Sequence, residues 1–367
     1  MVFFENDHCV KCGHALGFEP GSIDLIALEE ADGGRWHGAG KAAGKTYRKC
    51  ANGTEFKVCN WLIADDDPNQ YCLACRLNGI IPALTGAKNM SRWSKLELAK
   101  RRCLYTLLKL GLPIQPAEDK KNISLRFKFL EDMEGAPVQT GHESGIITIN
   151  IAEADDDERE RRRVGFHEPY RTLVGHFRHE SGHFYWDLLI ADSPYLEGFR
   201  KLFGLETDDY NAALERHYKD GAPADWADRN VTPYASAHPW EDWAETWAHY
   251  LHIADTLESA AAFQLSVKNN LPAKADTVKI KVGEGMDFDH ILAEWTPLIC
   301  ALNVINRSMG LSDLYPFVIS PPVVEKLRFI HEVIKKSNQL RSQTLPRTQA
   351  APPVTAPKTL ASAGAPK

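Results

Sequence analysis

The clearest pattern along the chain is a run of apolar residues at helical spacing from residue 170 to residue 190. Its apolar members are Leu173, Phe177, Phe184, Leu188 and Leu189. Because residues four or seven positions apart share one helix face, the run predicts an amphipathic helix over about 170–190, with Pro169 suited to its first turn. Gly182 lies inside this helix at a cost of about 1 kcal/mol relative to alanine, so we expect another backbone or a substrate to pass close to it.

The same periodicity predicts further elements. A helix is expected over about 94–110, where Ser94 and Glu97 have the spacing of a capping box. Five more helices are expected at about 194–203, 208–219, 239–257, 287–306 and 321–338. Two strand-like segments are expected over about 124–130 and 146–151.

Composition divides the chain into three regions. Residues 1–80 are rich in Cys, Gly and Asn, as expected of a small zinc-ribbon-like module of hairpins. Residues 81–338 carry the helical patterns and both strand segments, which predict a larger, mostly helical domain with a small sheet. Residues 339–367 are mainly Pro, Ala, Thr and Lys, which predicts a disordered tail. The expected fold class is therefore α+β.

Composition and charge limit the kind of protein this can be. The chain has 367 residues, 44% of them hydrophobic, which is enough for a large buried core. The formal net charge is -6 even though the tail is basic, so the acidic body argues against nucleic acid as a partner. No apolar run reaches the length of a membrane span, and the first residues lack the features of a secretory signal. We therefore expect a cytoplasmic protein without a membrane partner.

The predicted helix over 170–190 carries the sequence His179-Glu180-Ser181-Gly182-His183. Residues at i and i+4 lie on one helix face, so both imidazoles can reach a single Zn²⁺ while the Glu180 carboxylate faces the remaining coordination site. A catalytic zinc usually takes three protein ligands and leaves the fourth position to water. The motif therefore predicts a hydrolytic zinc site whose third ligand comes from elsewhere in the chain.

The third ligand is expected on the predicted helix over 239–257. Pro239 suits a helix start, and Glu241 and Glu245 then share one face, a turn apart. We predict that Glu241 binds the zinc and that Glu245 accepts the N–H of a ligating histidine, because such histidines commonly donate to a carboxylate. Asp187, one turn after His183, is either a second supporting acid or a surface residue.

Six of the eight cysteines fall within the first 75 residues, which favours a structural metal site in a chain without an export signal. Two Cys-x-x-Cys knuckles in this stretch are of the type that supplies four thiolates to zinc. Their members are Cys9, Cys12, Cys72 and Cys75. We predict that these four bind a structural zinc, with Cys50 and Cys59 as possible alternatives. The surrounding acidic composition favours a structural role or a protein partner over nucleic acid.

The two predicted site helices resemble those of the gluzincin metallopeptidases, in which His-Glu-x-x-His is followed downstream by Glu-x-x-x-Glu or Glu-x-x-x-Asp. The run Glu241-Asp242-Trp243-Ala244-Glu245 is similar to a segment of lethal-factor-type peptidases, and Tyr234 lies seven residues before Glu241, as their catalytic tyrosine does. From about residue 5 to about residue 338, the chain resembles a bacterial family of zinc-binding metallopeptidases with an N-terminal zinc ribbon. Stretches typical of that family occur over 170–180 and 238–252.

The resemblance implies a zincin-like peptidase domain in which His179, His183 and Glu241 hold the catalytic zinc. It implies that Glu180 takes a proton from the attacking water and that Tyr234 donates to the developing oxyanion. It further implies one catalytic zinc, at least one structural zinc and a peptide or protein substrate.

The alternative hypothesis is a non-enzymatic zinc protein that acts as an interaction or regulatory module. In that case the ribbon binds a protein partner and the second metal is structural. A structural zinc is normally closed by four protein ligands, so Glu180 beside an open fourth position is the feature that separates the two hypotheses.

Overall fold

The computed structural model describes residues 2–114, 124–133, 135–165, 170–268, 277–279, 287–344 and 358–359. The chain forms two compact units, which are described one at a time. The first comprises Met1–Glu160 and Pro346–Lys367, and the second comprises Arg161–Leu345. Sheets dominate the first unit and helices the second, so the predicted α+β fold class is confirmed.

The first unit begins with a five-stranded antiparallel sheet in which sequential strands are neighbours. The strands are β1 (Ala15–Glu19), β2 (Asp24–Glu30), β3 (Arg35–Gly38), β4 (Thr46–Lys49) and β5 (Leu62–Ala64). A short helix, α1 (Ala51–Phe56), connects β4 to β5. The sheet supports a small apolar core that includes Ile26, Leu28, Tyr47 and Leu62. A core of this size gives little stability, which is the situation in which small modules rely on a metal.

The second sheet of this unit is mixed and also has five strands. Four of them are β6 (Asn78–Ile81), β7 (Arg126–Leu130), β8 (Gly141–Glu143) and β9 (Ile146–Asn150). β7 lies between β6 and β9 and is parallel to both, while β8 closes one edge antiparallel to β9. The strand Lys358–Thr359 pairs with β6 at the other edge. The two predicted strands are β7 and β9, so both are confirmed.

The helix α2 (Asn89–Lys109) begins before its predicted start at Ser94. The predicted capping box is wrong, because Glu97 lies two turns into the helix and does not cap its start. Its side chain is fully buried, and its Oε1 accepts a hydrogen bond from Asn78 Nδ2 at 2.6 Å. Lys100 is equally buried and donates to both Glu97 and Asn78. Because a buried charge is costly unless it is paired, these bonds connect α2 firmly to β6, across the boundary predicted near residue 80.

In the residues that the structure describes, the second unit consists mainly of helices, with one short hairpin. The helices are α3 (Asp156–Gly165), which begins in the first unit, α4 (Leu173–Leu189), α5 (Leu196–Phe203), α6 (Tyr210–Asp220), α7 (Trp226–Arg229), α8 (Pro239–Ala262), α9 (Phe288–Ser308) and α10 (Pro321–Thr344). The hairpin pairs β10 (Ser266–Lys268) with β11 (Thr277–Lys279). All six helices predicted between residues 170 and 338 are found, with ends that differ by a few residues.

The helix α4 begins after Thr172, whose Oγ1 accepts the Gly175 N–H at 3.0 Å. Pro169, which was predicted to lie in the first turn, falls outside the described residues. At the start of α8, Pro239 occupies the first turn as predicted, and His238 Nδ1 accepts the Trp240 N–H at 3.0 Å. Both site helices therefore have side-chain caps that fix where they begin.

The helices α4 and α8 pack so closely that no side chain fits at Gly182. A Cβ atom there would lie 2.8 Å from Ala244 Cα and 3.2 Å from Trp247 Cβ. Trp243 Nε1 donates to the Gly182 carbonyl at 2.9 Å, which joins the two helices at the same level. The close approach predicted at Gly182 is thus made by the backbone of α8.

A Gly182→Ala substitution is expected to lower the free energy of unfolding by up to about 2 kcal/mol. Alanine gains about 1 kcal/mol of helix propensity, but inserting a methyl group against a fixed backbone atom typically costs about 1–3 kcal/mol. Urea denaturation measures the difference. Gly165→Ala is the control, because a Cβ at this exposed end of α3 meets no atom of the described residues within 4 Å. Equal stability of the two variants would contradict the tight packing.

The tail predicted over 339–367 lies outside the described residues, apart from the end of α10 and the strand Lys358–Thr359. The helical pattern continues to Thr344, past the boundary predicted at residue 338. Among the helices that the structure describes, none is long and apolar enough to cross a membrane.

Candidate functional site

Three predicted metal ligands meet where α4 and α8 pack together. One ligand atom from each of His179, His183 and Glu241 lies within 4.8 Å of the other two. Glu241 Oε2 is 3.1 Å from His179 Nε2 and 3.6 Å from His183 Nε2. The spacing of the two histidines on α4 and the position of Glu241 in the first turn of α8 bring these atoms together.

The three atoms have the separation that a zinc ion requires. With zinc–ligand bonds of about 2.0–2.1 Å, two ligand atoms of a tetrahedral site lie roughly 3.3–3.4 Å apart, and the distances from Glu241 Oε2 fall on either side of this value. Glu241 is buried, and none of the described residues donates a hydrogen bond to its Oε2. Imidazole nitrogens with one carboxylate oxygen are a common zinc donor set, so these residues fit the ion.

Glu245 holds the first of the two histidines in place. Its Oε1 lies 2.6 Å from His179 Nδ1, and its Oε2 accepts a hydrogen bond from Thr232 Oγ1 at 2.7 Å. A carboxylate on Nδ1 fixes the tautomer that leaves Nε2 available to a metal. The structure therefore brings Glu245 to the position that its spacing from Glu241 predicted.

The electrostatics of the cluster favour a bound cation. Burial alone would raise the pKa of Glu241, but the neighbouring His183 and His179 outweigh it and hold that pKa well below its ordinary value. Burial likewise opposes charge on His179, yet Glu241 and Glu245 raise its pKa well above the ordinary value. The buried carboxylate of Glu241 and the partly buried one of Glu245 thus favour positive charge at this place, which a divalent ion between the ligands would supply.

Glu180 lies next to His179 on α4 and is buried. Burial raises the pKa of its carboxyl above the usual range, although the nearby histidines oppose this shift. Within the described part of the chain, Glu180 Oε2 has no hydrogen-bond partner. A carboxylate with a raised pKa and a free oxygen beside a metal site has the properties of a general base.

Tyr234 lies in a single turn of 3-10 helix, Tyr234–Ser236, just before α8. The centre of its ring is 5.9 Å from that of His179. Burial and the nearby Glu241 raise the pKa of its phenol well above the ordinary value, so the hydroxyl remains protonated and able to donate. The structure therefore places this tyrosine beside the predicted ligands.

A second tyrosine at the site had no signal in the sequence. Tyr210, the first residue of α6, donates its hydroxyl proton to Glu241 Oε1 at 2.6 Å. Burial and the Glu241 carboxylate raise the pKa of Tyr210, which keeps that proton in place. Tyr210 precedes Glu241 by 31 residues, and no helical spacing relates the two. Asp187, by contrast, is half-buried on α4, and its supporting role stays a prediction.

Four cysteines of the first unit form a separate cluster. The sulfur atoms of Cys50, Cys59, Cys72 and Cys75 all lie within 4.8 Å of one another. Cys59 Sγ and Cys72 Sγ are 3.6 Å apart, close to the roughly 3.8 Å that zinc–sulfur bonds of about 2.3 Å give in a tetrahedron. Burial raises the pKa of the Cys50 and Cys72 thiols well above the ordinary value, so four thiolates there require a cation.

This cluster differs from the set of four cysteines that was first predicted to bind the structural zinc. Cys9 and Cys12 lie outside it, and their places are taken by Cys50 and Cys59, the predicted alternatives. The reason lies in the fold of the sheet: Cys50 follows β4 directly and Cys59 precedes β5, and these two strands are paired. The local Cys-x-x-Cys spacing identifies a knuckle but not the partner that it meets.

A buried cation from α2 lies beside the cysteine cluster. The side chain of Arg101 is almost fully buried, and its Nη1 donates to the carbonyl of Val58, the residue before Cys59, at 2.5 Å. Burial opposes the charge of Arg101, but the charges of Cys59 and Glu97 outweigh it and raise its pKa. A zinc ion with four thiolates carries two net negative charges, and Arg101 offsets part of them.

Comparison with known proteins gives two family matches and several relatives. Residues 89–333 match the family model described as "Putative zinc-binding metallo-peptidase", and residues 1–86 match a zinc-ribbon domain. The uncharacterized proteins Rv2568c of Mycobacterium tuberculosis and Mb2598c of Mycobacterium bovis are each 43% identical over 333 residues, which cover 90% of this chain and 91% of the relative. No solved structure matches the chain.

Proposed function

Because the chain belongs to this zinc-binding metallopeptidase family with a zinc ribbon, we propose that it hydrolyses peptide bonds with one zinc ion at the site between α4 and α8. The observation that carries the proposal is the convergence of His179 Nε2, His183 Nε2 and Glu241 Oε2, together with Glu180, which follows His179 directly and has one oxygen without a partner among the described residues. Three protein ligands leave a fourth position for water, which is the arrangement of catalytic zinc sites.

The zinc ion and Glu180 have different roles in the proposed reaction. The zinc ion would act as a Lewis acid toward water and the substrate carbonyl. Glu180 accepts a proton from the attacking water, whose oxygen forms a bond to the carbonyl carbon. The carbon–nitrogen bond then breaks, and Glu180 delivers the same proton to the leaving amine nitrogen. No covalent bond to the protein forms, and Glu180 ends as it began.

We assign the stabilisation of the developing oxyanion to Tyr234. Its hydroxyl is protonated, and the centre of its ring lies 5.9 Å from that of His179. A protonated donor that is held near the site before negative charge develops needs little reorganisation, which is why such groups lower the barrier.

We further propose that the Cys50, Cys59, Cys72 and Cys75 cluster holds a structural zinc, since four protein thiolates leave no position for water. The substrate is then a peptide or protein, and the ribbon is a place for a protein partner rather than for nucleic acid or a membrane. A cytoplasmic location agrees with this assignment, because thiols remain reduced there and available to metal.

Removal of the metal tests this proposal. We expect about two zinc ions per chain, and we expect chelation of the more weakly held ion to abolish cleavage of a peptide library. Zinc restores cleavage, whereas Mg²⁺ does not, because it prefers six oxygen ligands. Cleavage is followed by mass spectrometry and bound metal by elemental analysis. A protein that holds both zinc ions yet cleaves no peptide would favour the non-enzymatic alternative.

A further inference from the structure

The two oxygens of Glu241 face different partners. Oε2 lies between the histidines, 3.1 Å from His179 Nε2 and 3.6 Å from His183 Nε2. Oε1 accepts the hydroxyl proton of Tyr210 at 2.6 Å. A carboxylate can bind a metal through one oxygen or through both, and the choice changes the number of ligands around the ion. In Glu241, one oxygen is therefore already occupied by a hydrogen bond.

Tyr210 is itself held in place from several sides. Asp209 caps α6 by accepting the Ala212 N–H at 3.0 Å, which fixes the start of the helix at Tyr210. The Tyr210 ring packs edge-on against the rings of His238 and Trp240, at 5.2 Å and 5.9 Å between ring centres. These two residues come shortly before Glu241, so the tyrosine is anchored to the same turn of α8 as the carboxylate.

A further contact connects the start of α6 with the start of α8. His238 Nε2 lies 3.1 Å from the carbonyl oxygen of Asp208, two residues before Tyr210. With His238 Nδ1 accepting the Trp240 N–H, both ring nitrogens of this buried histidine are engaged. The position of the Tyr210 hydroxyl relative to Glu241 is therefore fixed by backbone and ring contacts as well as by its own hydrogen bond.

We propose that Tyr210 is a positioning residue that restricts Glu241 to one-oxygen binding of zinc, through Oε2, so that the fourth coordination position stays open to water. The inference rests on the proposed function. If both oxygens of Glu241 approached the ion, Oε1 would become a fifth ligand and crowd the position that water occupies. The hydrogen bond from Tyr210 to Oε1 makes that movement costly, because Oε1 would lose a short hydrogen bond and gain only a long, weak fifth contact to the ion.

The test compares Tyr210→Phe with Tyr234→Phe, the same change at the two tyrosines of the site. Cobalt replaces zinc at the histidine site after partial chelation, while zinc remains at the cysteine cluster. Absence of thiolate-to-cobalt charge-transfer absorption verifies this placement. The visible absorption of cobalt then reports its coordination number, because four-coordinate cobalt absorbs more strongly than five-coordinate cobalt. Competition with a chelator gives the zinc affinity of each variant.

We expect Tyr210→Phe to weaken the absorption and to lower zinc affinity about 10–100-fold, as the loss of an outer hydrogen-bond partner commonly does. Tyr234→Phe is expected to keep the wild-type spectrum and affinity, although its hydrolysis falls. A Tyr210→Phe protein with wild-type spectrum and affinity would overturn the inference. These readouts do not depend on turnover, so a chain that cleaves no peptide but shows the spectral change contradicts only the proposed function.

X-ray absorption at the cobalt edge of the wild-type protein gives a second test that does not depend on a variant. We expect four nitrogen or oxygen atoms at one short distance. A fifth oxygen at longer distance, as two-oxygen binding by Glu241 would give, would overturn the inference even if the Tyr210→Phe protein failed to fold.

Discussion

A Glu180→Gln variant is expected to keep its zinc and to lose peptide hydrolysis by a factor on the order of 10²–10⁴. Glutamine has nearly the size and shape of glutamate, so the buried position next to His179 remains filled. The amide cannot accept a proton from the attacking water or pass one to the leaving amine. The ligands His179, His183 and Glu241 are unchanged, so metal content should equal that of the wild-type protein.

The measurement pairs elemental analysis with kcat/KM on the cleaved members of a peptide library. Glu197→Gln is the matched control, since Glu197 is an exposed residue of α5 and the same chemical change there should leave both quantities unaltered. A wild-type kcat/KM for Glu180→Gln would show that Glu180 is not the general base. Loss of zinc from this variant would instead assign the residue to holding the metal.

A Cys50→Ser variant is expected to lose the zinc of the cysteine cluster and with it the cooperative unfolding of the first unit. Cys50 is buried, and its Sγ accepts the Cys72 N–H at 3.4 Å in addition to its place in the cluster. Zinc bound to small finger peptides contributes about 10–16 kcal/mol, which equals or exceeds the total stability of most domains, about 5–15 kcal/mol. Even a partial loss would therefore unfold the unit.

Cys12→Ser provides the control because Cys12 is exposed and lies outside the cluster. It is expected to retain the zinc that Cys50→Ser loses. Elemental analysis and thermal unfolding of both variants measure the difference. The reverse result, with zinc lost from Cys12→Ser and kept by Cys50→Ser, would restore the pairing of the two Cys-x-x-Cys knuckles and refute the cluster.

Much of the candidate site follows from the sequence because its ligands lie on two regular helices. His179 and His183 are one turn apart, and so are Glu241 and Glu245, so helix geometry alone predicts which side chains share a face. The structure brings these four together.

Features that depend on the path of loops could not be predicted. The contact of Tyr210 with Glu241 is set by the segment before α6, where no periodic pattern exists. The partner of the Cys72 and Cys75 knuckle is set by the pairing of β4 with β5, which joins residues distant in sequence. Local spacing determines a helix face or a knuckle, but a tertiary contact needs the whole chain path.

One helix was missed for a different reason. α3 (Asp156–Gly165) buries none of its residues, so it has no apolar periodicity to detect. Acidic residues occupy its first turn, and Arg162 and Arg163 its last, which is the distribution that favours interaction with the helix dipole. Its stability therefore comes from charge placement rather than from burial.

The buried cations of α2, Lys100 and Arg101, affect whether the zinc ribbon of this chain could be exchanged for another. The ribbon match ends at residue 86 and the metallopeptidase match begins at residue 89, so α2 is the first helix of the latter. Yet Arg101 and Lys100 bond to Val58 and Asn78, on the other side of that boundary. A gene fusion with a foreign ribbon would remove the Asn78 and Val58 oxygens and leave Glu97 as the acceptor for both cations, at a cost of about 1–3 kcal/mol for each lost hydrogen bond. A ribbon taken from another protein is therefore expected to destabilise this metallopeptidase domain unless it supplies the same two acceptors.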